Sequence, residues 1–386
     1  MFYKLNDVCD VRDGTHDSPM YVEDGYPLVT SKNIIDGKLD LSVVNYITED
    51  DYNKINERSK VDVGDIIMPM IGTIGNPYLV EEYTDFAIKN VALIKFNTGK
   101  VSNKYIWYFL KSETFKKYVA SKNKGGTQKF LALGDIRNLE IPKLSNTEQE
   151  RIVGELDKIR KIIELRKKEL NLLNDFMKAR FVELFGDPVD NLMGWTRKQL
   201  QEVVTDDCTI SYGIVQTGDD QEDGVPVFRP IDIVNCFPVR SELKKTTKEI
   251  SNKYKRTILK GREMLITVRA NIADTCIVGE EFAGCNVGRG IVPIRTKENE
   301  MILEFLKYQI DSKHLNDNIK ALAKGITLIQ LNMEDLREVN LIVPPIEQQK
   351  SFVEFAKQTN KSKIVIQKAL DEAQLLFDSL MQKYFG

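Results

Sequence analysis

The sequence of 386 residues is poor in the side chains that most often build catalytic and metal centres. Its two histidines, His16 and His314, leave almost no room for a histidine-centred triad or a multi-histidine metal site. His16 lies near Asp13 and Asp17 and could act as a base, although a solvated turn histidine is the commoner role. The cysteines form no CxxC pair and no zinc spacing, which fits reduced thiols in the cytoplasm. They are Cys9, Cys208, Cys236, Cys276 and Cys285.

Signatures of membranes and of nucleotide cofactors are also missing. No run of about 18 apolar residues exists. Met1–Lys4 leads into polar sequence, so we expect no membrane span and no export signal. Asn97–Lys100 lacks the spacing of a phosphate loop, and no GxGxxG follows a predicted strand. Gly75–Tyr78 resembles the Asn-Pro-Pro-Tyr loop of amino-group methyltransferases only superficially, because the second proline is absent. We therefore expect a non-catalytic, cytoplasmic chain without a metal or cofactor of its own.

Two long stretches, residues 146–186 and 346–386, carry apolar residues at heptad spacing, which is typical of coiled-coil helices. Ser145 and Glu148 have capping-box spacing at the start of the first stretch, and Gly186 follows its last turn. A helix of about 39 residues is roughly 58 Å long, at about 1.5 Å per residue. The predicted seam between the helices consists of Leu156, Ile163, Leu170, Met177, Ile366, Leu370, Phe377 and Leu380.

The second half of the chain repeats the order of the first half at an offset near 200 residues. Val63–Ile66 aligns with Lys260–Met264, for example, and both halves end on Phe-Gly after a helix that starts near Glu-Gln. This pattern predicts an internal duplication rather than a solenoid. The predicted domains are the first lobe (residues 1–145), a helix at 146–186, the second lobe (residues 187–345) and a helix at 346–386.

Each lobe mixes short predicted strands with amphipathic helices, which indicates the α+β class. Ser102–Ser121, for example, is predicted to form one helix. Because only a short segment links Gly186 to Trp195, we expect the two long helices to pack as an antiparallel coiled coil. Each helix would then carry a lobe at the opposite end, and a pseudo-twofold relation would connect the two copies. The alternative is that each long helix packs only on its own lobe.

Positive charge is unevenly distributed, although the net charge is only −2. Basic residues cluster around Gly125 and Gly126 and again between Lys244 and Arg262, where loops could contact phosphates. Arginine and lysine suit guanine, and asparagine and glutamine suit adenine. A charge run is more often a solvated surface, but its presence in both lobes favours a nucleic acid. The candidate DNA-binding residues are Lys32, Asn33, Lys89, Asn90, Lys122, Lys124, Thr127, Gln128, Arg229, Lys253, Lys255, Arg256, Arg269, Asn271, Arg289, Lys324, Thr327 and Gln330.

Four features together resemble the DNA specificity subunit of type I restriction-modification systems. They are the two-copy plan, the Gly-Thr loop before Ile-Pro or Val-Pro-Pro, the Glu-Gln helix start and the Phe-Gly helix end. The resemblance covers essentially the whole chain. It implies that each lobe is a target-recognition domain that reads one half of a split site in double-stranded DNA.

The resemblance also implies partners. The paired helices would set the distance between half-sites and dock two methyltransferase (modification) subunits, and restriction subunits would join afterwards. S-adenosylmethionine would then be bound by the modification subunits, and ATP with magnesium would be used by the restriction subunits. The specificity subunit itself would catalyse nothing.

Two kinds of segment carry this resemblance at the residue level. Thr30–Ile34 and Phe228–Ile233 correspond to a recurrent strand-and-loop segment of the recognition domains. Gly125–Thr127 and Gly325–Thr327 correspond to the loop before the last core strand. The chain departs from the family pattern at its start, where the first copy has no tryptophan to match Trp195. It also lacks the strong positive charge of a DNA clamp.

Two other functions stay open from the residues alone. The chain could be the recognition part of a stand-alone nuclease-methyltransferase, and methyl transfer by the purified chain would then be expected. It could instead be a coiled-coil scaffold that binds no DNA. A scaffold would show no sequence preference on any duplex and would tolerate loss of both basic clusters.

Overall fold

The computed structural model describes residues 1–72, 74–82, 85–122, 130–233, 238–325 and 329–386. These residues form two compact units. The first unit consists of residues 1–167 and 367–386, and the second of residues 168–366. Each unit therefore contains one lobe and part of each long helix.

The first lobe is built from short strands and short helices. Its strands are β1 (Phe2–Lys4), β2 (Asp10–Asp13), β3 (Tyr21–Val22), β4 (Tyr26–Val29), β5 (Ile34–Ile35), β6 (Lys38–Leu39), β7 (Asn45–Ile47), β8 (Ile66–Pro69), β9 (Tyr78–Leu79), β10 (Ala87–Ile88), β11 (Val91–Lys95) and β12 (Glu140–Pro142). Its helices are α1 (Leu5–Val8), α2 (Glu49–Ser59), α3 (Asn103–Phe109), α4 (Glu113–Lys122) and α5 (Leu133–Arg137). An antiparallel sheet has the order β2-β11-β8-β9, and a mixed sheet has the order β10-β4-β7-β3.

Strand β8 lies at the centre of the first lobe, and both of its faces are buried. Ile66 and Met68 pack in a core with the helices, whereas Ile67 packs in a second core with Val91 and Leu93 of β11. Side chains along a strand alternate between its two faces. A strand buried on both faces therefore needs a continuous apolar run rather than an alternating one.

The second lobe repeats this plan. Its strands are β13 (Thr196–Gln199), β14 (Val225–Phe228), β15 (Lys245–Thr246), β16 (Glu263–Thr267), β17 (Thr275–Val278), β18 (Asn286–Val287), β19 (Ile291–Ile294) and β20 (Asn340–Val343). Its helices are α7 (Leu200–Val203), α8 (Lys248–Lys253), α9 (Leu303–Ile310), α10 (Lys313–Ala321) and α11 (Met333–Arg337). Strand β16 lies between β17 and β19. Met264 and Ile266 enter one core and Leu265 the other, as the corresponding residues of β8 do.

The helix predicted at Ser102–Ser121 is interrupted, so it forms α3 and α4 rather than one helix. The break follows from Ser112, whose buried hydroxyl accepts a hydrogen bond from the backbone N–H of Phe115 at 3.2 Å. Serine favours such N-terminal caps over helix interiors because its hydroxyl competes for backbone partners. The second lobe also breaks at a buried serine, Ser312, between α9 and α10, but there the hydroxyl donates to the carbonyl of Gln309 at 2.7 Å.

The two long helices, α6 (Asn146–Phe185) and α12 (Ile346–Phe385), end in the same manner. The backbone N–H of the glycine after each helix donates to the carbonyl four residues earlier. The distance is 2.8 Å from Gly186 to Val182 and 2.9 Å from Gly386 to Gln382. Gly186 has a φ of +72°, a left-handed conformation that glycine adopts without strain. No helix among the described residues combines the length and apolar character needed to cross a membrane.

In both units, the two long helices run in opposite directions. In the first unit, the hydroxyl of Tyr384, near the end of α12, accepts from Arg151 Nη1 at 3.3 Å and donates to Glu155, near the start of α6. In the second unit, Phe176 and Phe355 make an edge-to-face contact with ring centroids 5.8 Å apart. The predicted α+β class, the internal duplication and the antiparallel long helices are therefore confirmed.

The predicted seam residues differ in how deeply they are buried. In the first unit, Leu156, Ile163 and Leu370 are buried, and Phe377 and Leu380 are half-buried. In the second unit, Met177 and Ile366 are buried, and Leu170 is half-buried.

A buried glutamine fixes the start of each long helix against its lobe. The side-chain oxygen of Gln349 accepts from Ile302 N at 3.0 Å, and its nitrogen donates to Glu300 O at 2.9 Å and Pro344 O at 2.8 Å. Gln149 does the same in the first unit, accepting from the N–H of Ser102 at 2.9 Å. These bonds join the start of each long helix to its lobe, and apolar residues of the helix and the lobe share one core in each unit.

Candidate nucleic-acid interface

Several strands of the first lobe end or begin together at one edge. Strands β2 and β8 both pair antiparallel with β11, so their carboxyl ends flank the start of β11. Residues just beyond these ends form isolated bridges, Thr15 with Lys89 and Ile71 with Phe130. We call this surface the first strand-end edge. It consists of Asp13, Gly14, Thr15, His16, Ile71, Lys89, Asn90 and Phe130.

A glycine allows the backbone segments of this edge to approach each other closely. A Cβ atom at position 14 would lie 2.3 Å from the carbonyl oxygen of Ile88. Gly213 occupies the matching place in the second lobe, where a Cβ atom would lie 2.1 Å from the carbonyl oxygen of Val287. No side chain fits at either position, so both edges depend on glycine here.

A charged network occupies the first strand-end edge. His16 Nε2 lies 2.8 Å from Asp13 Oδ2, and His16 Nδ1 lies 2.7 Å from Asn90 Oδ1. The bond to Asp13, and next the bond to Asn90, raise the pKa of His16, because both favour the protonated ring. Arg58, from α2, pairs with the other oxygen of Asp13. The buried carboxylate is thus flanked by two basic groups, and the exposed ring and the amide of Asn90 hold each other in place.

The second lobe has a corresponding surface. Ile214 pairs with Gly288 in a parallel bridge, and Arg269 pairs with Gln330 in an antiparallel one, just beyond the end of β16. We call this the second strand-end edge. It consists of Tyr212, Gly213, Ile214, Arg269, Gly288, Arg289 and Gln330.

A hydrogen-bonded chain of three side chains crosses the second strand-end edge. Gln330 Oε1 accepts from Arg269 Nε at 2.6 Å and also from Arg269 Nη2. Gln330 Nε2 donates to the hydroxyl of Tyr212, which in turn donates to Leu331 O at 3.3 Å. The orientation of the Gln330 amide is therefore defined by its partners, and so is the orientation of the arginine.

The structure places two of the predicted residues of the first lobe differently. Lys32 is exposed in the turn after β4, whose end lies beside that of β10. Asn33 is buried and closes this turn, because its oxygen accepts from Thr30 and its nitrogen donates to the carbonyls of Asp40 and Val43. Its amide groups are therefore occupied inside the protein.

Several predicted basic residues are held in ion pairs. Lys122 lies 3.0 Å from Asp135, and Lys324 lies 3.3 Å from Asp335, at matching places in the two lobes. The bond to Asp135 raises the pKa of Lys122. Two more pairs join Arg229 to Asp232 and Lys253 to Glu249. Exposed pairs of this kind contribute little to stability, so these side chains can exchange partners at small cost.

The remaining predicted residues lie in other places or outside the described residues. Lys255 and Arg256 are exposed in a 3-10 turn that packs near Asn286, at the start of β18. Asn271 is exposed in the loop after β16, and Arg289 is exposed in the second strand-end edge. The candidates Lys124, Thr127, Gln128 and Thr327 lie outside the described residues.

Sequence reasoning missed part of both edges. Arg58 lies on α2, and nothing in its local sequence connects it with Asp13, 45 residues away. Tyr212 was missed for the same reason, because its partner Gln330 lies 118 residues further along the chain. The match between Gly14 and Gly213 is the one signal that could have located both edges.

One group of possible metal ligands occurs at the surface of the described residues. Asp187, Asp190 and His314 bring ligand atoms within 4.8 Å of one another. The Asp187 carboxylate already accepts from Val189 N at 2.8 Å and lies 2.8 Å from His314 Nδ1. The group therefore acts as a cap for the turn after α6.

The type I restriction modification DNA specificity domain matches the chain twice, at residues 1–175 and 194–373. The putative type I restriction enzyme MjaX specificity subunit of Methanocaldococcus jannaschii is 23% identical over 382 residues, which cover 92% of this chain and 85% of the relative. The type I restriction enzyme StySPI specificity subunit of Salmonella potsdam is 22% identical over 395 residues, which cover 94% and 81%.

Two solved structures have the same fold. The S subunit of a type I restriction-modification system from M. genitalium aligns with a TM-score of 0.58 at 14% identity, covering 100% of this chain and 96% of the other. A chain from a study of complex assembly and conformational transition of the type I R-M system aligns with a TM-score of 0.56 at 19% identity, covering 100% and 97%. The duplicated α+β fold is thus shared with both of these solved structures. With both copies of the domain matched, the chain belongs to the type I restriction modification DNA specificity family.

Proposed function

We propose that this chain is the DNA specificity subunit of a type I restriction-modification complex and that its two lobes read the two halves of a split DNA site. The observation that carries the proposal is the double match to the specificity domain, with one polar strand-end edge in each copy. Arg289 and Lys89 supply positive charge for phosphates at these edges, and Asn90, Arg269 and Gln330 supply groups that can bond to base edges.

We propose that the chain itself is not an enzyme. Its charged network around Asp13 and its arginine chain around Gln330 are suited to holding donors in fixed directions, which is what sequence recognition requires. Methyl transfer and DNA cleavage would then be carried out by partner subunits, which bind S-adenosylmethionine, ATP and magnesium.

We further propose that two methyltransferase subunits dock on the long helices and that restriction subunits join the resulting complex. Large apolar side chains remain exposed on both helices, and apolar surface of this kind is typical of protein interfaces. On α6 they are Ile162, Leu165, Leu172, Phe176 and Val182, and on α12 they are Ile364, Val365, Leu375 and Leu376.

The proposal is tested by producing the chain with its modification subunit and mapping methylated bases on bacterial genomic DNA. We expect methylation at one split sequence with a fixed spacer. The purified chain alone should transfer no methyl group from labelled S-adenosylmethionine, and the modification subunit alone should not methylate that sequence.

Two results would contradict the proposal. Methyl transfer by the purified chain alone would support the stand-alone nuclease-methyltransferase, and methylation without any sequence preference would support a scaffold.

A further inference from the structure

The duplication allows equivalent positions in the two strand-end edges to be compared directly. Leu131 N donates to Met70 O at 2.9 Å in the first lobe, and Leu331 N donates to Val268 O at 2.9 Å in the second. In each lobe the two neighbouring residues then form an antiparallel bridge. The bridged pairs are Ile71 with Phe130 and Arg269 with Gln330.

These equivalent pairs have the same backbone arrangement and opposite side-chain chemistry. Isoleucine and phenylalanine can make only apolar contacts with a base, such as contact with the thymine methyl group. Arginine and glutamine carry hydrogen-bonding groups that can address base edges. Two lobes that share a scaffold and read different half-sites must differ where they touch bases, and this pair of positions differs completely.

The guanidinium of Arg269 is held in a fixed direction. Its Nε and Nη2 atoms donate to Gln330 Oε1, and within the described part of the chain the Nη1 atom has no hydrogen-bond partner. Nη1 and the second hydrogen of Nη2 therefore form a free pair of donors at the end of the guanidinium. A pair of this geometry can bond to the O6 and N7 acceptors of guanine. Because Gln330 already restrains the side chain, less conformational entropy is lost when a base is bound.

The loop that follows Arg269 is also restrained. Ala270 and Ala273 have φ angles of +61° and +65°, which non-glycine residues rarely adopt. The hydroxyl of Thr267 accepts from Asp274 N at 2.9 Å, and Asn316 Nδ2 donates to the carbonyl of Ala273 at 2.9 Å. A loop tied at both ends keeps the arginine at a constant position.

We propose that Arg269, oriented by Gln330, reads a guanine in the half-site bound by the second lobe. Positions 269 and 330, with 71 and 130 in the first lobe, are then the specificity-determining pair of each lobe. This inference rests on the proposed function.

The test uses the complex of the full chain with its modification subunit, and it maps methylation on a DNA library randomised at each position of the split site. Arg269→Ala should lower the preference for guanine at one position of one half-site by roughly 5- to 150-fold. The other half-site should be unchanged. Gln330→Leu, which removes the acceptor, should weaken the same preference, and Gln330→Glu, which keeps the acceptor, should retain it.

Controls separate a specific effect from misfolding. Arg197→Ala removes an exposed arginine whose Nη2 donates to Val189 O, outside the second strand-end edge, and should leave the base preference unchanged. The double variant Arg269→Ile with Gln330→Phe carries the first-lobe pair, and it should change the preferred base at that one position. Melting temperatures of all variants show whether they fold.

A uniform loss of methylation in Arg269→Ala, with the guanine preference intact, would overturn this inference and leave the proposed function standing. Absence of site-specific methylation with the unmodified chain would overturn both.

Discussion

Lys111 shows how a charge is tolerated at a half-buried position of the first lobe. Its Nζ atom lies 3.6 Å from the centre of the Trp107 ring, and the guanidinium of Arg160 lies 5.0 Å from the same ring. Burial, followed by repulsion from Arg160, lowers the pKa of Lys111 to about 8. A lysine whose pKa is lower in the folded than in the unfolded state destabilises the fold below that pKa, and the penalty disappears as the pH rises toward the unfolded value.

Replacing Lys111 by methionine should therefore stabilise the chain at pH 7 by about 1–2 kcal/mol, after allowance for solvent screening at this partly exposed group. The gap in melting temperature between the variant and the natural chain should narrow as the pH rises from 8 toward 10. Lys143→Met is the matched control, because Lys143 lies over the Tyr3 ring at 4.9 Å near the surface. A gap that does not depend on pH would show that Lys111 is not titrating in this range.

At the residue scale, the sequence indicated candidate polar side chains but not the partners to which they are bonded. Arg269 and Gln330 were predicted separately as base-contacting candidates, and the structure adds that they bond to each other. Asn33 was predicted from the same pattern of polar residues after a strand, yet its amide closes a turn. Arg269 and Gln330 lie 61 residues apart, so a local pattern does not contain their bond. The partners of Asn33 lie only 3 to 10 residues away, but they form a turn that a pattern of polar residues after a strand does not specify.

At the scale of elements, the buried glutamines at the helix starts should be among the most sensitive positions. Gln349→Leu leaves one buried N–H and two carbonyls without their partner and should lower the free energy of unfolding by about 1–3 kcal/mol. Gln348→Leu, at the exposed neighbouring position, should change it by no more than about 0.5 kcal/mol. Denaturant unfolding measures both, and equal losses would show that the glutamine bonds are not the cause.

The two long helices were predictable from the sequence, whereas the break between α3 and α4 was not. The heptad pattern and the capping signals placed the ends of α6 and α12 within a residue or two, because such patterns are repeated over many turns. The break at Ser112 was not predicted, since a single cap competes with an otherwise good amphipathic helix.

At the scale of the whole molecule, the duplication was visible in the sequence because the two copies keep their order and spacing. The structure also shows an ion pair that occurs at the same place in both lobes but is formed by different residue types. A buried acid at or just before the start of the central strand pairs with a base at or just after the end of the neighbouring strand. The pairs are Asp65 with Lys95 in the first lobe and Glu263 with Arg295 in the second. Sequence identity alone hides this match because both partners have changed type.

The proposed spacer role of the long helices leads to a test at the same scale. Inserting one heptad into each helix, between residues 167 and 168 and between 366 and 367, adds about 10 Å to each. The spacer of the methylated sequence should grow by about 3 base pairs. Insertion into only one helix should instead mismatch the seam and lower the melting temperature. An unchanged spacer in the double insertion, measured by methylation mapping, would contradict the role of the helices as a ruler.

The first unit combines residues 1–167 with residues 367–386, and this has a consequence for folding during translation. Met381 and Phe385 lie in the same core as Leu5, Tyr105 and Phe109. The first lobe precedes α12 in the chain, yet its hydrophobic core is complete only when the last turns of α12 have been translated. A truncation within those turns would therefore damage a lobe that is synthesised much earlier.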